Sequence, residues 1–370
     1  MTRSTDDGID VVVVEHGGIR EIFATALPNA LEDFASLSHR VRRVLDDSKG
    51  QILEMRVFGT VDAFLSCTEV LRELYGGIDW PLVYVQGENC FKGEIAGIQV
   101  HAVAGTPVET IRLDNWPVGR VFENEFARYC VLGMLQSQDP SRSREVQTQD
   151  TIEQMMRGLA GAGMDLHSLA RTWFYIDDIL GWYEDFNRAR SEIYSREGLF
   201  DRYLPASTGI GGCNPHNTAV VASALGIQAK REGVTVREIP SPLQCPATDY
   251  GSSFTRAAEV VRPDSRSVLV SGTASIDPEG ATAHLGDVDA QVAYTLEIVG
   301  AILESRNMDF LDVARGNAYF KDKAGAVSFQ QNASRHGLPV SRVVISQNDV
   351  CREDLLFELE IDAVRVEEAK

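Results

Sequence analysis

The stretch QTQDTIEQMMRGLAGAGMDLHSLARTWFYIDD, residues 147–178, returns without a gap at 291–322 as QVAYTLEIVGAILESRNMDFLDVARGNAYFKD. At this constant offset ten positions are identical: Gln147/Gln291, Thr151/Thr295, Glu153/Glu297, Leu159/Leu303, Met164/Met308, Asp165/Asp309, Ala170/Ala314, Arg171/Arg315, Tyr175/Tyr319 and Asp178/Asp322. Ungapped similarity of this length marks an internal duplication. Each copy reads as a long amphipathic helix, with Val288, Val292, Thr295, Leu296, Val299, Ile302 and Leu303 at helical spacing. Asn307 supplies its stop, and a buried strand follows over 314–320.

Working outward, a second helix is expected over 179–195 and again over 324–335. Beyond it come the Leu-Pro turns Leu204-Pro205 and Leu338-Pro339 and a further pair of strands, aligned at the turns by a new offset. A strand over 267–276 (SVLVSGTASI) precedes the helix of the later copy, and 129–134 holds that place in the earlier one. Near the N-terminus, Val61, Asp62, Ala63 and Thr68 echo Val288, Asp289, Ala290 and Thr295, followed by the strand-like 82–86. Either a degenerate third copy stands there or the echo is chance. The expected units are 1–115, 116–235 and 236–370, with the proline-bearing stretch 234–248 as a linker.

The chain has 370 residues, 35 Lys plus Arg against 54 Asp plus Glu, and a formal charge of −19. Such a balance repels phosphate backbones and anionic lipid, so neither nucleic acid nor a membrane surface is an expected partner. No apolar run approaches the roughly 18 residues of a spanning helix, and MTRSTDDGID lacks a basic-then-apolar leader. The expected location is the cytoplasm. Cys67, Cys90, Cys130, Cys213, Cys245 and Cys351 form no CxxC, which argues against structural zinc and a disulfide scaffold. Phosphate-cradling glycine motifs are missing as well. No metal or organic cofactor is expected.

A strand ending in SGxxxx, the helix and strand around (L/V)AR...Y, a second helix, a Pro-containing turn and a last strand with Glu-x-Glu resemble the RidA (YjgF-type) family. That resemblance implies an α+β fold of tandem units, each a mixed sheet with two helices packed on one face, and trimers with ligand clefts between subunits. Two copies after an N-terminal segment, with LPASTGIG and RTWFYIDDI, resemble the chorismatases in particular. The implied activity is cofactor-free loss of pyruvate from chorismate, with 3-hydroxybenzoate the favoured product and hydrolysis to a dihydroxycyclohexadiene carboxylate the alternative. RidA-type deamination of enamines or imines and non-enzymatic metabolite binding are the competing readings. Assembly is either a homotrimer or a pseudo-trimer within one chain.

Pyruvate loss from an enol ether begins with a proton delivered to the methylene carbon, so one protonated carboxyl is the minimum requirement. The resemblance places it at Glu358 in LLFELEID; Glu360 lies on the same strand face. At an offset of 134, Glu358 faces Ala224, Arg342 faces Thr208 and Cys351 faces Asn217, so only the last copy has the acid, the cation and the thiol. A dicarboxylate substrate calls for Arg forks. The resemblance favours Arg342; Arg171 is a second choice, although its twin Arg315 points to a shared structural role. Tyr175 reaches the ligand or packs like its twin Tyr319. Cys351 is either the group that accompanies the 3-hydroxybenzoate branch or a small buried residue, and Ala274 is expected on the pocket floor. His167, Arg188, Arg190 and Arg196 read as surface residues, the arginines paired with Glu184, Asp185 and Glu192. Gly209, Gly211 and Gly212 read equally as an anion nest or a loop entering a strand.

Overall fold

The computed structural model describes residues 1–367 apart from 7 and 31. Its first unit runs β1 (Thr2–Asp6), β2 (Ile9–His16), β3 (Ile19–Ala26), α1 (Phe34–Ser48), β4 (Gln51–Gly59), α2 (Phe64–Tyr75), β5 (Leu82–Gln86), β6 (Glu88–Asn89) and β7 (Ile95–Ala104). The second runs β8 (Val108–Leu113), β9 (Trp116–Glu123), β10 (Ala127–Gln136), α3 (Arg144–Gly161), β11 (Leu169–Ile176), α4 (Ile179–Arg196), β12 (Ala206–Gly211) and β13 (Val220–Ala229). The third runs β14 (Thr235–Ile239), β15 (Ala257–Val261), β16 (Ser265–Ala274), α5 (Val288–Glu304), β17 (Val313–Phe320), α6 (Ala326–His336), β18 (Val343–Gln347) and β19 (Phe357–Val366).

The three sheets share one strand order: β1-β2-β3-β7-β4-β5, β8-β9-β10-β13-β11-β12 and β14-β15-β16-β19-β17-β18. In each, the pair joined through the second helix is parallel (β4 with β5, β11 with β12, β17 with β18); the other neighbours are antiparallel. Parallel neighbours need such a crossover, so every sheet is mixed and the fold is α+β. β6 leaves its own unit to pair with β18, continuing the third sheet to seven strands. No helix among the described residues is long and apolar enough to cross a membrane.

The duplicated residues have identifiable work. Leu159 and Leu303, with Met164 and Met308, fill the layer between helices and sheet. Asp165 and Asp309 each accept a backbone N–H two residues on, capping the short turn into β11 or β17. Gln147 accepts from the Ala219 N–H and Gln291 from that of Leu356, pinning the entry to the last strand in both copies. Gly163 and Asn307, which follow the first helices, take the positive φ values of 74° and 55° that end such helices. Strand alternation then separates two faces. Phe174 and Ile176 lie under the helices, whereas Trp173 and Tyr175 join Phe58, Val83, Ile210, Ala274, Tyr319 and Val344 in a core built from all three units.

Three sequence expectations need correction. The echo at Val61 to Thr68 falls on the start of α2, which follows β4 and is the counterpart of α4 and α6, not of α5. The third copy's register is set by strand pairing: the bulges at 52/54, 169/171 and 313/315 bring Glu54, Arg171 and Arg315 into equivalent positions. The stretch 234–248 contains β14, paired with β15, as well as irregular chain. The offset after the Leu-Pro turn also does not hold at 134. Val343 pairs with Gly316 as Ser207 pairs with Thr172, and Glu358 pairs with Tyr319 as Val221 pairs with Tyr175. The counterparts are therefore Ala206 for Arg342 and Val221 for Glu358. The short turn Val340–Arg342 and a longer loop before β19 account for the slippage.

Candidate active site

A cavity of about 550 Å³ lies between the second and third units. One wall is the start of α4, with Trp182, Tyr183, Asn187 and Arg190, together with Ser207 and Gly209 of β12. The other combines Tyr250, Phe254 and Arg256 with Gly272 and Ala274 of β16, Cys351, Arg352 and Glu358. The α4 wall is kinked at Trp182, which has non-helical φ and ψ of −158° and 19° and whose indole N–H donates to the Asp177 carbonyl at 2.7 Å.

Glu358 stands on β19 directly opposite Ala274 of β16, next to a bulge between Val270 and Thr273. Its residue is 4% exposed. A methyl group on Gly272 would overlap the Glu358 carboxyl, so a glycine is what leaves room for the acid to turn into the cavity. Burial first, and the Glu360 carboxylate second, push the Glu358 carboxyl up to about 8, against the pull of Arg171 and Arg256. Near neutral pH it holds its proton.

Glu360, two residues on, sits in a closed network. Its oxygens accept from the Arg171 guanidinium at 2.6 Å, Asn317 at 2.6 Å, the Tyr319 hydroxyl at 2.9 Å and the Thr208 hydroxyl. Both oxygens are occupied, as buried polar atoms require. Two acids on one strand face thus have different surroundings: Glu360 is ion-paired with Arg171, whereas Glu358 faces the cavity without an ion pair among the described residues. That separation is the arrangement by which environment assigns one carboxyl the role of acid.

The candidates of the sequence reading divide. Glu358, Cys351 and Ala274 line the cavity. Arg171 does not; it is wholly buried, bonded to Glu360 and Thr208 and stacked on Trp173 at 4.9 Å. Tyr175 does not either, packing edge-on against Phe58 between the units. Arg342 is far from ligand-binding duty: its Nε donates to Asp10 at 2.9 Å and its Nη1 to the Val313 and Leu311 carbonyls, joining the third unit to the first. These three arginine and tyrosine assignments to substrate are corrected on the same ground, that their polar groups are enclosed by protein. Cys351 lies in the loop before β19, where burial first and then Glu358 push its thiol up to about 12. It is a neutral wall group. The N–H groups of Gly211 and Gly212 donate to Asp349 and Ile176 carbonyls, so they form no nest for an anion.

Three cavity arginines escaped the sequence reading. Arg190, read as a surface residue, is 1% exposed; it lies on Phe174 and Phe186 at 5.6 and 5.2 Å, donates to Asn187 at 2.6 Å, and keeps Nε without an acceptor. Its spacing was a usable signal: it stands four residues after Phe186 and three before Ile193, on the buried stripe of α4. Arg256 has no periodic signal. Its Nε donates to the Cys245 carbonyl at 2.9 Å, its plane lies 5.3 Å from Tyr250, and its Nη2 has no acceptor. Arg352 sits 5.1 Å from the same Tyr250 ring. Arg188 does pair on the surface with Asp185 and Glu145.

No family model matches the chain. Among curated proteins it is similar to a chorismatase of Streptomyces hygroscopicus, 28% identical over 215 residues, and to a 3-hydroxybenzoate synthase of the same organism, 30% identical over 221 residues. Each match covers 52% of this chain and, respectively, 60% and 62% of the relative. A chorismatase crystal structure superposes with a TM-score of 0.66 at 18% identity, covering 95% of this chain and 99% of that one. The chain is thus similar in sequence to chorismatases over about half its length, spans less than two thirds of those curated relatives, and shares the fold of the chorismatase crystal structure.

Proposed function

We propose that the protein cleaves chorismate, releasing pyruvate and 3-hydroxybenzoate, with Glu358 as the proton donor. The observation that carries this reading is a carboxyl pushed up to about 8 in the wall of a cavity that also holds Arg190, Arg256 and Arg352. Chorismate carries two carboxylates; within a chain of charge −19 only local guanidinium groups can hold them, and charge-assisted forks suit that task. With the ligand so held, Glu358 gives its proton to the enolpyruvyl methylene carbon, and the carbon bearing the ether oxygen becomes an oxocarbenium ion. The negative field of Glu360 beneath the acid favours that cation. The ring's own hydroxyl closes on the cation, pyruvate departs, and a ring proton returns to Glu358 as the ring becomes aromatic. No water is consumed overall. Cys351 and Ala274, flanking the acid, restrict the space in which water would otherwise attack and give the hydrolytic product instead. Such an enzyme needs no nucleic-acid partner, and its place is the cytoplasm.

The deaminase reading leaned on Arg342 as the ligand's clamp, and with that side chain committed to Asp10 nothing favours it. Pyruvate release from chorismate, coupled to a dehydrogenase, tests the proposal. Glu358→Gln is expected to lower kcat by about 10²- to 10⁴-fold. A folded protein that releases no pyruvate overturns it. Mass spectrometry of the ring product distinguishes the two routes, and Cys351→Ala is expected to shift the product ratio toward the dihydroxycyclohexadiene carboxylate.

A further inference from the structure

A second cavity, of about 540 Å³, opens between the first and second units. It occupies the place that the Glu358 cavity occupies between the second and third. β10 and β16 bulge at matching registers, 132/135 and 270/273, so Met134 and Gln136 stand where Gly272 and Ala274 stand. α2 supplies the helical wall that α4 supplies in the other cleft. Val221, fully buried, takes the position of Glu358.

The lining differs in kind. Phe64, Ile78, Trp80, Leu82, Trp116 and Val118 make it largely apolar and aromatic. Arg72 is its one guanidinium, against three in the Glu358 cavity, and has no ion pair among the described residues. The Trp80 indole N–H, on a residue 8% exposed, and Nε2 of His216 have no hydrogen-bond partner among the described residues. Both residues line the cavity, and buried polar groups left unpaired cost on the order of 1–3 kcal/mol each. The volume lies within the usual range for small-molecule sites.

We propose that this cleft binds an aromatic monocarboxylic acid, its ring between the apolar walls and its carboxylate on Arg72, and that it does so without chemistry because no acid faces it. The inference stands on this cavity's own lining; only the choice of probe rests on the reading of the Glu358 site. The test is calorimetric titration of 3-hydroxybenzoate into the full chain and into Arg72→Ala and Trp116→Ala. Both side chains are exposed, so both variants are expected to fold. The wild-type chain is expected to show a binding event that weakens at least about tenfold in each variant, the scale of a lost hydrogen bond to a charged group. Absence of binding to wild type, or equal binding by wild type and both variants, overturns it. Pyruvate release from chorismate, followed on the same three proteins, is expected to be unchanged and reports separately on the Glu358 reading.

Discussion

In the proposed reaction, Glu358 couples activity and stability through one proton. Because only the protonated form can donate, the rate of pyruvate release is expected to fall as pH rises through about 8; a rate flat from pH 6 to 10 would remove Glu358 from the role. The same shift has a stability sign. The folded-state value lies above the ordinary 4.5, so between those values the folded chain binds more protons than the unfolded one, and stability declines as pH rises across that window. Glu358→Gln, which has no charge to bury, is expected to have a higher Tm than wild type at pH 8.5 and nearly the same Tm at pH 4.5, read by thermal melts at both. Gly272→Ala is expected to abolish activity by forcing the acid out of its position, at a stability cost of about 1–3 kcal/mol, typical of an overfilled core. Position in a motif made Glu358 legible in the sequence. Arg190 was not, because a charge beside acidic neighbours reads as solvated until its place on the buried stripe of the helix is counted.

At the scale of elements, β19 turns Glu358, Glu360 and Asp362 to one face, and each has a different answer to burial. Asp362 pairs with Arg315 at 2.7 Å, Glu360 with Arg171, and Glu358 stays protonated. Arg171 therefore acts through Glu360. Arg171→Ala is expected to lower stability by about 3–5 kcal/mol, the usual effect of stranding a buried charge, seen in denaturant unfolding. A raised KM with unchanged stability would instead mark it as a ligand contact. Helices α3 to α6 and their strands could be read from spacing, since duplicated identities such as Gln147 and Asp165 hold turns and caps that both copies need. The first unit was offered only as a degenerate copy, on an echo in the wrong register, because it keeps the apolar pattern while replacing those identities. Glu54, Arg56 and Phe58 of β4 stand where β11 has Arg171, Trp173 and Tyr175.

For the whole molecule, the ion pair between Arg342 and Asp10 is one of the bonds between the first and last units, with the Ser341 hydroxyl donating to the same carboxylate at 2.7 Å. Removing one partner by Asp10→Ala is expected to destabilise the chain by about 3–5 kcal/mol, measurable as a lower urea midpoint, without changing KM for the proposed substrate. Three units already cover one another's inner faces, and light scattering is expected to find a species near 40.7 kDa. A species three times heavier would contradict that. How the units would close was beyond the sequence, because the residues at their contacts, Trp173, Tyr175 and Arg342, carry the same letters whether they meet a ligand or a neighbouring sheet.

The Glu358 cavity is walled by α4 and β12 on one side and β16 and β19 on the other, all belonging to a single polypeptide. Where such walls come from separate molecules, mass action empties the interface as the solution is thinned. Here the tether holds both halves at a fixed effective concentration, so turnover per molecule should persist unaltered from micromolar down to picomolar enzyme.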